Sequence, residues 1–166
     1  MKIKQVDSRI GIFTLGHSNH SWDEFVGILK SWRIHAIVDV RRYPNSQKFP
    51  QFNQGILRKE LQKLGIVYFW MGDLLGAFRT EGYEMYMETG EYQKGIHQTA
   101  ELGVRSRTCL LCSEKKFTGC HRMHIANSLT ESGFKVIHIQ DEEKSVSHED
   151  AIQLLGLDQS TQMELF

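Results

Sequence analysis

The sequence predicts a three-layer α/β domain, a mainly parallel five-stranded sheet with helices on both faces. Three observations carry this. Five short apolar runs of β character recur along the chain, near 12–15, 36–40, 66–71, 108–112 and 135–140. Stretches with helical periodicity separate them, and polar, chemistry-bearing residues gather where the runs end. Continuous apolar strands alternating with helices point to a sheet covered on both sides and wound by right-handed crossovers.

Each element has its own signal. Ile12 to Leu15 ends at Gly16-His17-Ser18, and Ser21-Trp22-Asp23-Glu24 then reads as a capping box. Phe25, Ile28, Leu29 and Trp32 follow at i, i+3, i+4, i+7, one face of a 3.6-residue period. Ala36 to Val40 opens into a basic loop, Arg41 to Asn53, which holds both prolines, Pro44 and Pro50, and so is expected to be rigid. Leu57, Leu61 and Leu64 mark a helix ended by Gly65, and Ile66 to Met71 is the third strand. Tyr83 to Leu102 reads as helix with a break at Gly90. Thr108 to Cys112 is the fourth strand, His121 to Ser132 a helix stopped by Gly133, and Lys135 to Gln140 the fifth strand. Ser147 caps a last helix that runs through Leu155 and ends near Gly156. Residues 1–156 are therefore expected to form one domain and 157–166 a flexible tail.

A chain of 166 residues buries roughly 68–70% of its unfolded surface, enough for one core without disulfides. The longest apolar runs fall far short of the roughly 18 residues that span a bilayer. Charges occupy the first residues where a signal peptide carries its apolar stretch, and three cysteines make no regular framework. The expectation is a soluble cytoplasmic protein with free thiols and no membrane partner. The formal net charge is zero, but it is unevenly placed. Residues 41–60 and 105–124 each carry a net +4, and residues 141–166 a net −6. Such blocks either present a cationic face to an anion or form solvated helix faces.

In open parallel sheets, ligands bind beyond the carboxyl ends of the strands where the strand order reverses. His17, Ser18, Asp39, Arg41, Arg42 and Tyr68 fall at or near such ends, as do Cys112, Ser113 and Glu114. Cys120-His121-Arg122 stands at a helix start, where backbone N–H groups favour a thiolate or a bound anion. The reading assigns Cys120, His17, Glu114, Asp39 and Cys112 to catalysis, and Ser18, Arg41, Arg42, Ser46, Tyr68, His121 and Arg122 to ligand binding. The competing structural reading makes Cys112 a buried strand-end thiol and pairs Arg122 with Glu114 or Asp39. Zinc is the obvious rival for the cysteines, but Cys109 and Cys112 lie three apart on a strand and point to opposite faces, so no metal site is expected. His20, His35, His97 and His148 are expected at the surface and His138 in the core. Walker, G-x-G-x-x-G and H-E-x-x-H motifs are absent, so ATP hydrolysis, dinucleotide redox chemistry and zincin proteolysis lose their usual support, and the cofactor is unknown.

The strings TLGHS (Thr14 to Ser18), DVRRYPNS (Asp39 to Ser46), PQFN (Pro50 to Asn53), LLCSEKKFTGCHR (Leu110 to Arg122) and VIHI (Val136 to Ile139) resemble the uncharacterised family catalogued as domain of unknown function 488. The resemblance spans about residues 12–140 and implies a small α/β fold with its motifs gathered in one polar pocket. It implies no settled reaction. The family often carries a Gly-Gly pair after the third strand, where this chain has Gly76-Ala77. The last five residues, Gln162-Met163-Glu164-Leu165-Phe166, are similar to bacterial peptides that bind the DNA sliding clamp. In that reading Met163, Leu165 and Phe166 enter an apolar groove and Gln162 sets the register; in the other, the tail folds back on the domain. Three functions follow: binding or acting on a phosphorylated ligand, a nucleotide or nucleic-acid end, in DNA maintenance; cysteine-dependent thiol or sulfur-transfer chemistry; or a non-catalytic adaptor.

Overall fold

The computed structural model describes residues 11–163, a mixed α/β protein with a six-stranded, mostly parallel sheet and seven helices. In chain order these are β1 (Ile12–Gly16), α1 (Trp22–Ser31), β2 (Ala36–Asp39), α2 (Gln54–Lys63), β3 (Val67–Trp70), α3 (Gly72–Leu75) and α4 (Tyr83–Tyr86). Then come α5 (Gly90–Arg105), β4 (Thr108–Cys112), α6 (Arg122–Glu131), β5 (Val136–Ile139), β6 (Ser145–Ser147) and α7 (His148–Met163). Single 3-10 turns, Pro50–Phe52 and Phe117–Gly119, interrupt the loops before α2 and α6. Among the described residues no helix is long and apolar enough to cross a membrane.

The five expected strands form, and a sixth corrects the count. β6 is antiparallel to β5, with Ile137 opposite Ser147 and Ile139 opposite Ser145. Its three residues have no apolar run to signal them. A turn makes the strand instead: the Asp141 carboxylate accepts the Glu143 and Lys144 amides, and Gln140 N–H donates to Lys144 O. The Ser21 capping box forms, with Glu24 N–H donating to Ser21 Oγ. The helical stretch from Tyr83 to Leu102 divides at Gly90, as expected, into α4 and α5. Thr89 is extended and its Oγ1 accepts the Tyr92 amide, so a new helix starts there with Gly90 as its first residue. The one-turn α3 was not anticipated, because four residues are too few to show a period. α7 continues to Met163, past Gly156. Leu165 and Phe166 lie outside the described residues.

The strand order is β3-β2-β4-β1-β5-β6. Alternate residues of the central strands enter two separate apolar cores, as the two-residue period of a strand requires. Phe13, Ile37, Cys109 and Leu111 pack with Phe25 and Leu29 of α1 and Leu57 and Leu61 of α2. Ile12, Val38, Leu110 and Cys112 pack with Tyr92 and Ile96 of α5 and Ile125 and Leu129 of α6. Cys109 and Cys112 thus belong to different cores. The helix after β1 lies with the first core and the helix after β4 with the second, yet β1 and β4 are neighbours. A crevice opens beyond the carboxyl ends of this pair, lined by His17 and Ser18 after β1 and by Cys112 and Ser113 at the end of β4.

Candidate functional site

The crevice is built where β1 and β4 stay together beyond the sheet. His17 N–H donates to Cys112 O at 2.8 Å and Ser18 N–H to Ser113 O at 3.0 Å. Gly16 permits this: a Cβ there would stand 1.7 Å from Glu114 O. His17 is buried, its ring stacked on Phe52 with centroids 4.3 Å apart, and Nδ1–H donates to Ser18 O at 2.9 Å. Burial chiefly, with the Arg41 charge adding to it, lowers its pKa to about 4. The imidazole is therefore neutral, with Nε2 an acceptor.

At the end of β2, Asp39 is 0% exposed and receives four hydrogen bonds. Arg41 supplies Nε at 2.9 Å, Nη2 at 2.7 Å and its own amide at 3.1 Å, and Tyr68 Oη donates at 2.5 Å. Burial and the Asp39 charge push the Tyr68 phenol up, so it stays a donor. Asp39 and Tyr68 do not line the crevice; they hold Arg41, which does.

Beyond β4, the Cys112 and Cys120 sulfurs are 3.2 Å apart. Cys120 Sγ also lies 3.5 Å from His121 Nδ1 and accepts the Arg122 amide at 3.5 Å, while His121 Nε2 meets Val40 O at 2.9 Å. The hydrogen bond from Cys112 holds the Cys120 thiol far below the ordinary thiol range, with His121 assisting. Burial and that same bond hold Cys112 well above it. The pair is read as one thiolate on Cys120 and one proton on Cys112.

Arg122 corrects the sequence reading. The residue is 1% exposed and does not line the crevice. It turns inward, donating to Thr14 Oγ1 at 3.0 Å, Glu114 O at 2.5 Å and Lys115 O at 3.3 Å, so it pairs with the backbone of Glu114 and not with a carboxylate.

The resulting cleft has a volume of about 820 Å³, within the usual range for small-molecule sites. His17, Ser18, Arg41, Arg42 and Ser46 line it from the β1 and β2 side. Cys112, Glu114, Cys120 and His121 line it from the β4 side. Ser46 also shapes its own loop: its amide donates to Asn53 Oδ1 and its Oγ accepts the Phe49 amide. The sequence reading missed Tyr43, Lys48, Phe49, Phe78 and Lys115, which also line the cleft. All but Phe78 fall within the two basic blocks, and that was their available signal. Gly76 is the glycine the Gly76-Ala77 pair needs: a Cβ there would stand 2.3 Å from Gly72 O and 2.7 Å from Arg42 Cβ, whereas Ala77 faces open cleft. Among the described residues no group of three or more His, Cys, Asp or Glu side chains is placed to hold a metal ion.

A buried hydrogen-bond chain supports the floor. Arg122 donates to Thr14 Oγ1, whose hydroxyl donates to His138 Nδ1 at 2.6 Å. His138 Nε2–H then donates to His148 Nδ1 at 2.9 Å, and His148 Nε2–H to Asn127 Oδ1 at 2.6 Å. With both imidazoles kept neutral by burial, every donor points the same way. His148, expected at the surface, is buried because the turn into α7 carries it under α6. Burial, followed by the charges of its neighbours, lowers the His138 pKa to about 3. The folded protein therefore binds fewer protons than the unfolded chain, whose histidines titrate near 6.5. Stability should be full above pH 6.5 and fall progressively toward pH 4 for His17 and pH 3 for His138. We expect a loss of about 1–2 kcal/mol per histidine between pH 7 and pH 5, measured from urea midpoints. His138→Gln should start less stable at pH 7 and show a shallower decline; a wild-type profile flat over this range contradicts the neutral chain.

Searches of curated proteins and of solved structures returned no significant match. A family model described as domain of unknown function DUF488 matches residues 21–129. That span takes in α1, the basic loop and the Cys-His-Arg segment. With well over half of its length matched, the chain belongs to the DUF488 family.

Proposed function

We propose that the cleft binds a phosphorylated ligand, a nucleotide or a nucleic-acid end, and that the protein serves DNA maintenance in the cytoplasm. The charge of the cleft carries this reading. Arg41, Arg42, Lys48 and Lys115 line it against one lining carboxylate, Glu114, and Asp39 offsets only Arg41, from behind. Side chains of this kind on a concave surface attract phosphate oxygens and lose affinity as salt rises. The two apolar cores support a three-layer domain, in which helices cover both sheet faces and leave the strand ends free for the ligand. Titration calorimetry with pyrophosphate and with short DNA should show salt-dependent binding. Arg42→Ala with Lys48→Ala should weaken it about tenfold or more. Equal binding by wild type and variant, or none by either, removes the reading.

A second reading, cysteine-dependent thiol or sulfur-transfer chemistry, has its own observation in the 3.2 Å contact between Cys112 and Cys120. Cys120 is the accessible member and would be the nucleophile, with buried Cys112 as its proton donor. At pH 6 iodoacetamide should alkylate Cys120 far faster than Cys109 or Cys112. Cys112→Ala should return Cys120 to an ordinary thiol pH profile. Equal rates at all three cysteines refute this reading.

The link to DNA and the adaptor alternative both rest on the terminal peptide. Gln162 and Met163 end α7, and Leu165 and Phe166 follow. A docked peptide of this kind binds a sliding clamp with micromolar affinity, about −8 kcal/mol. Deleting Leu165 and Phe166 should weaken clamp binding about a hundredfold and leave the melting temperature unchanged; clamp binding that survives the deletion breaks the link.

A further inference from the structure

Two aromatic rings stand at the mouth of the cleft with no role in the core. Tyr43 is 68% exposed and Phe78 is 78% exposed, and their ring centroids lie 6.1 Å apart with the planes tilted by 33°. They come from distant loops, one after β2 and one after α3, and both line the cleft. Hydrophobic burial does not account for them, because most of each ring faces solvent.

The backbone holds Phe78 in this position at a conformational cost. Its φ is 60°, the left-handed region that bulky residues avoid. The segment around it is fixed by two arginines. Arg42 Nη1 donates to Phe78 O at 3.2 Å. Arg79 donates to Gly76 O at 2.9 Å and to Asp73 O at 2.6 Å, with its guanidinium 3.8 Å from the centre of the Tyr86 ring. Strain that is maintained by surrounding bonds, at an exposed aromatic on a cleft rim, is characteristic of a contact surface for a ligand.

Cations are interleaved with the rings. The Arg42 guanidinium lies 5.9 Å from the centre of the Tyr43 ring, and Lys48 Nζ lies 5.4 Å from the centre of the Phe49 ring, another lining residue. An apolar plate bordered by positive charge suits a planar, aromatic, anionic molecule. A nucleoside phosphate has that composition: a base with two π-faces joined to an oxyanion. We infer that Tyr43 and Phe78 form a base-stacking seat, with the phosphate of the same nucleotide directed into the cleft toward Arg42, Lys48 and Lys115. The inference rests on the phosphate-binding reading and adds the base to it. The nucleotide is either free or the terminal residue of a single strand, since both carry the same chemistry.

The test uses the full chain and four probes in calorimetry: adenosine 5′-monophosphate, ribose 5-phosphate, adenosine and a 5′-phosphorylated oligothymidylate. Wild type should bind the monophosphate more tightly than ribose 5-phosphate. Tyr43→Ala and Phe78→Ala should each weaken the monophosphate by roughly five- to 150-fold, the range for loss of one stacking ring, and leave ribose 5-phosphate unchanged. Phe78→Gly removes the ring and relieves the backbone, so it should lose the base contact with no fall in melting temperature. Tighter binding of the oligothymidylate, lost in the same variants, identifies a strand end; equal or weaker binding identifies the free nucleotide. Equal wild-type affinity for the monophosphate and ribose 5-phosphate overturns the seat and leaves the phosphate reading intact. Binding of adenosine through Tyr43 and Phe78, with neither phosphate contributing, upholds the seat and overturns the phosphate reading. Loss of ribose 5-phosphate binding in the ring variants, or failure of all four probes, overturns the seat.

Discussion

The buried guanidinium of Arg122 is the interaction on which the site depends. Among the described residues no carboxylate pairs with it, and a charge in an apolar interior costs many kcal/mol unless polar groups solvate it. Here Glu114 O, Lys115 O and Thr14 Oγ1 do so. Those three acceptors belong to the loop after β4 and to β1, while Arg122 itself opens α6. One side chain thus fixes the strand pair, the loop and the helix start relative to each other. The Cys120 sulfur, two residues away and bonded to the Arg122 amide, takes its position from that arrangement. Thr14 passes the constraint on through His138 to His148 and Asn127, so β5, α6 and α7 are linked to the same chain of donors.

Burial separates residues of one type into different chemical states. Cys112 and Cys120 carry the same group, but Cys112 is enclosed in a core and Cys120 borders the cleft. A charge on Cys112 would be desolvated, so the shared proton stays there and Cys120 becomes the thiolate. The arginines divide the same way. Arg41 is held by Asp39 and Arg122 by carbonyls, whereas among the described residues the cations of Arg42, Lys48 and Lys115 have no such deep partner, and they give the lining its positive sign.

The parts of this arrangement that were legible in the sequence are those written as local patterns. Continuous apolar runs marked all five parallel strands, and Ser21 with Glu24 marked the start of α1. The convergence of His17, Arg41 and Cys112 followed from strand ends alone, because a parallel sheet puts all its carboxyl ends on one edge. Side-chain direction was not legible. Nothing in Cys120-His121-Arg122 tells whether Arg122 faces a ligand or the interior, since that depends on Thr14 more than a hundred residues earlier. Asp39 was assigned to catalysis and Tyr68 to the ligand for the same reason: strand position places a residue at the site without saying which way it faces. β6 comes from the hydrogen bonds of a single turn, which leave no periodicity. His148 is buried by a hairpin that itself lacked a signal. Phe78 lies outside both basic blocks, and its exposure follows from a backbone conformation that the residue type disfavours.

The floor and the rim of the cleft therefore answer to different constraints. Arg122, Asp39, His138 and Gly16 hold the floor, and each is tied into buried hydrogen bonds or backbone contact, so changes there alter the fold along with the site. Tyr43, Lys48 and Phe78 belong to loops and bury little, so they can vary with small effect on stability. Under the proposed reading the position of a ligand would be set by the floor, where Cys120 and the His17 imidazole are held by hydrogen bonds to the segments around β1 and β4. Under the same reading the choice of ligand would fall to the rim, where charge and aromatic surface meet solvent. Such a division lets one scaffold keep its reactive geometry while the molecule it accepts is determined by a few exposed side chains.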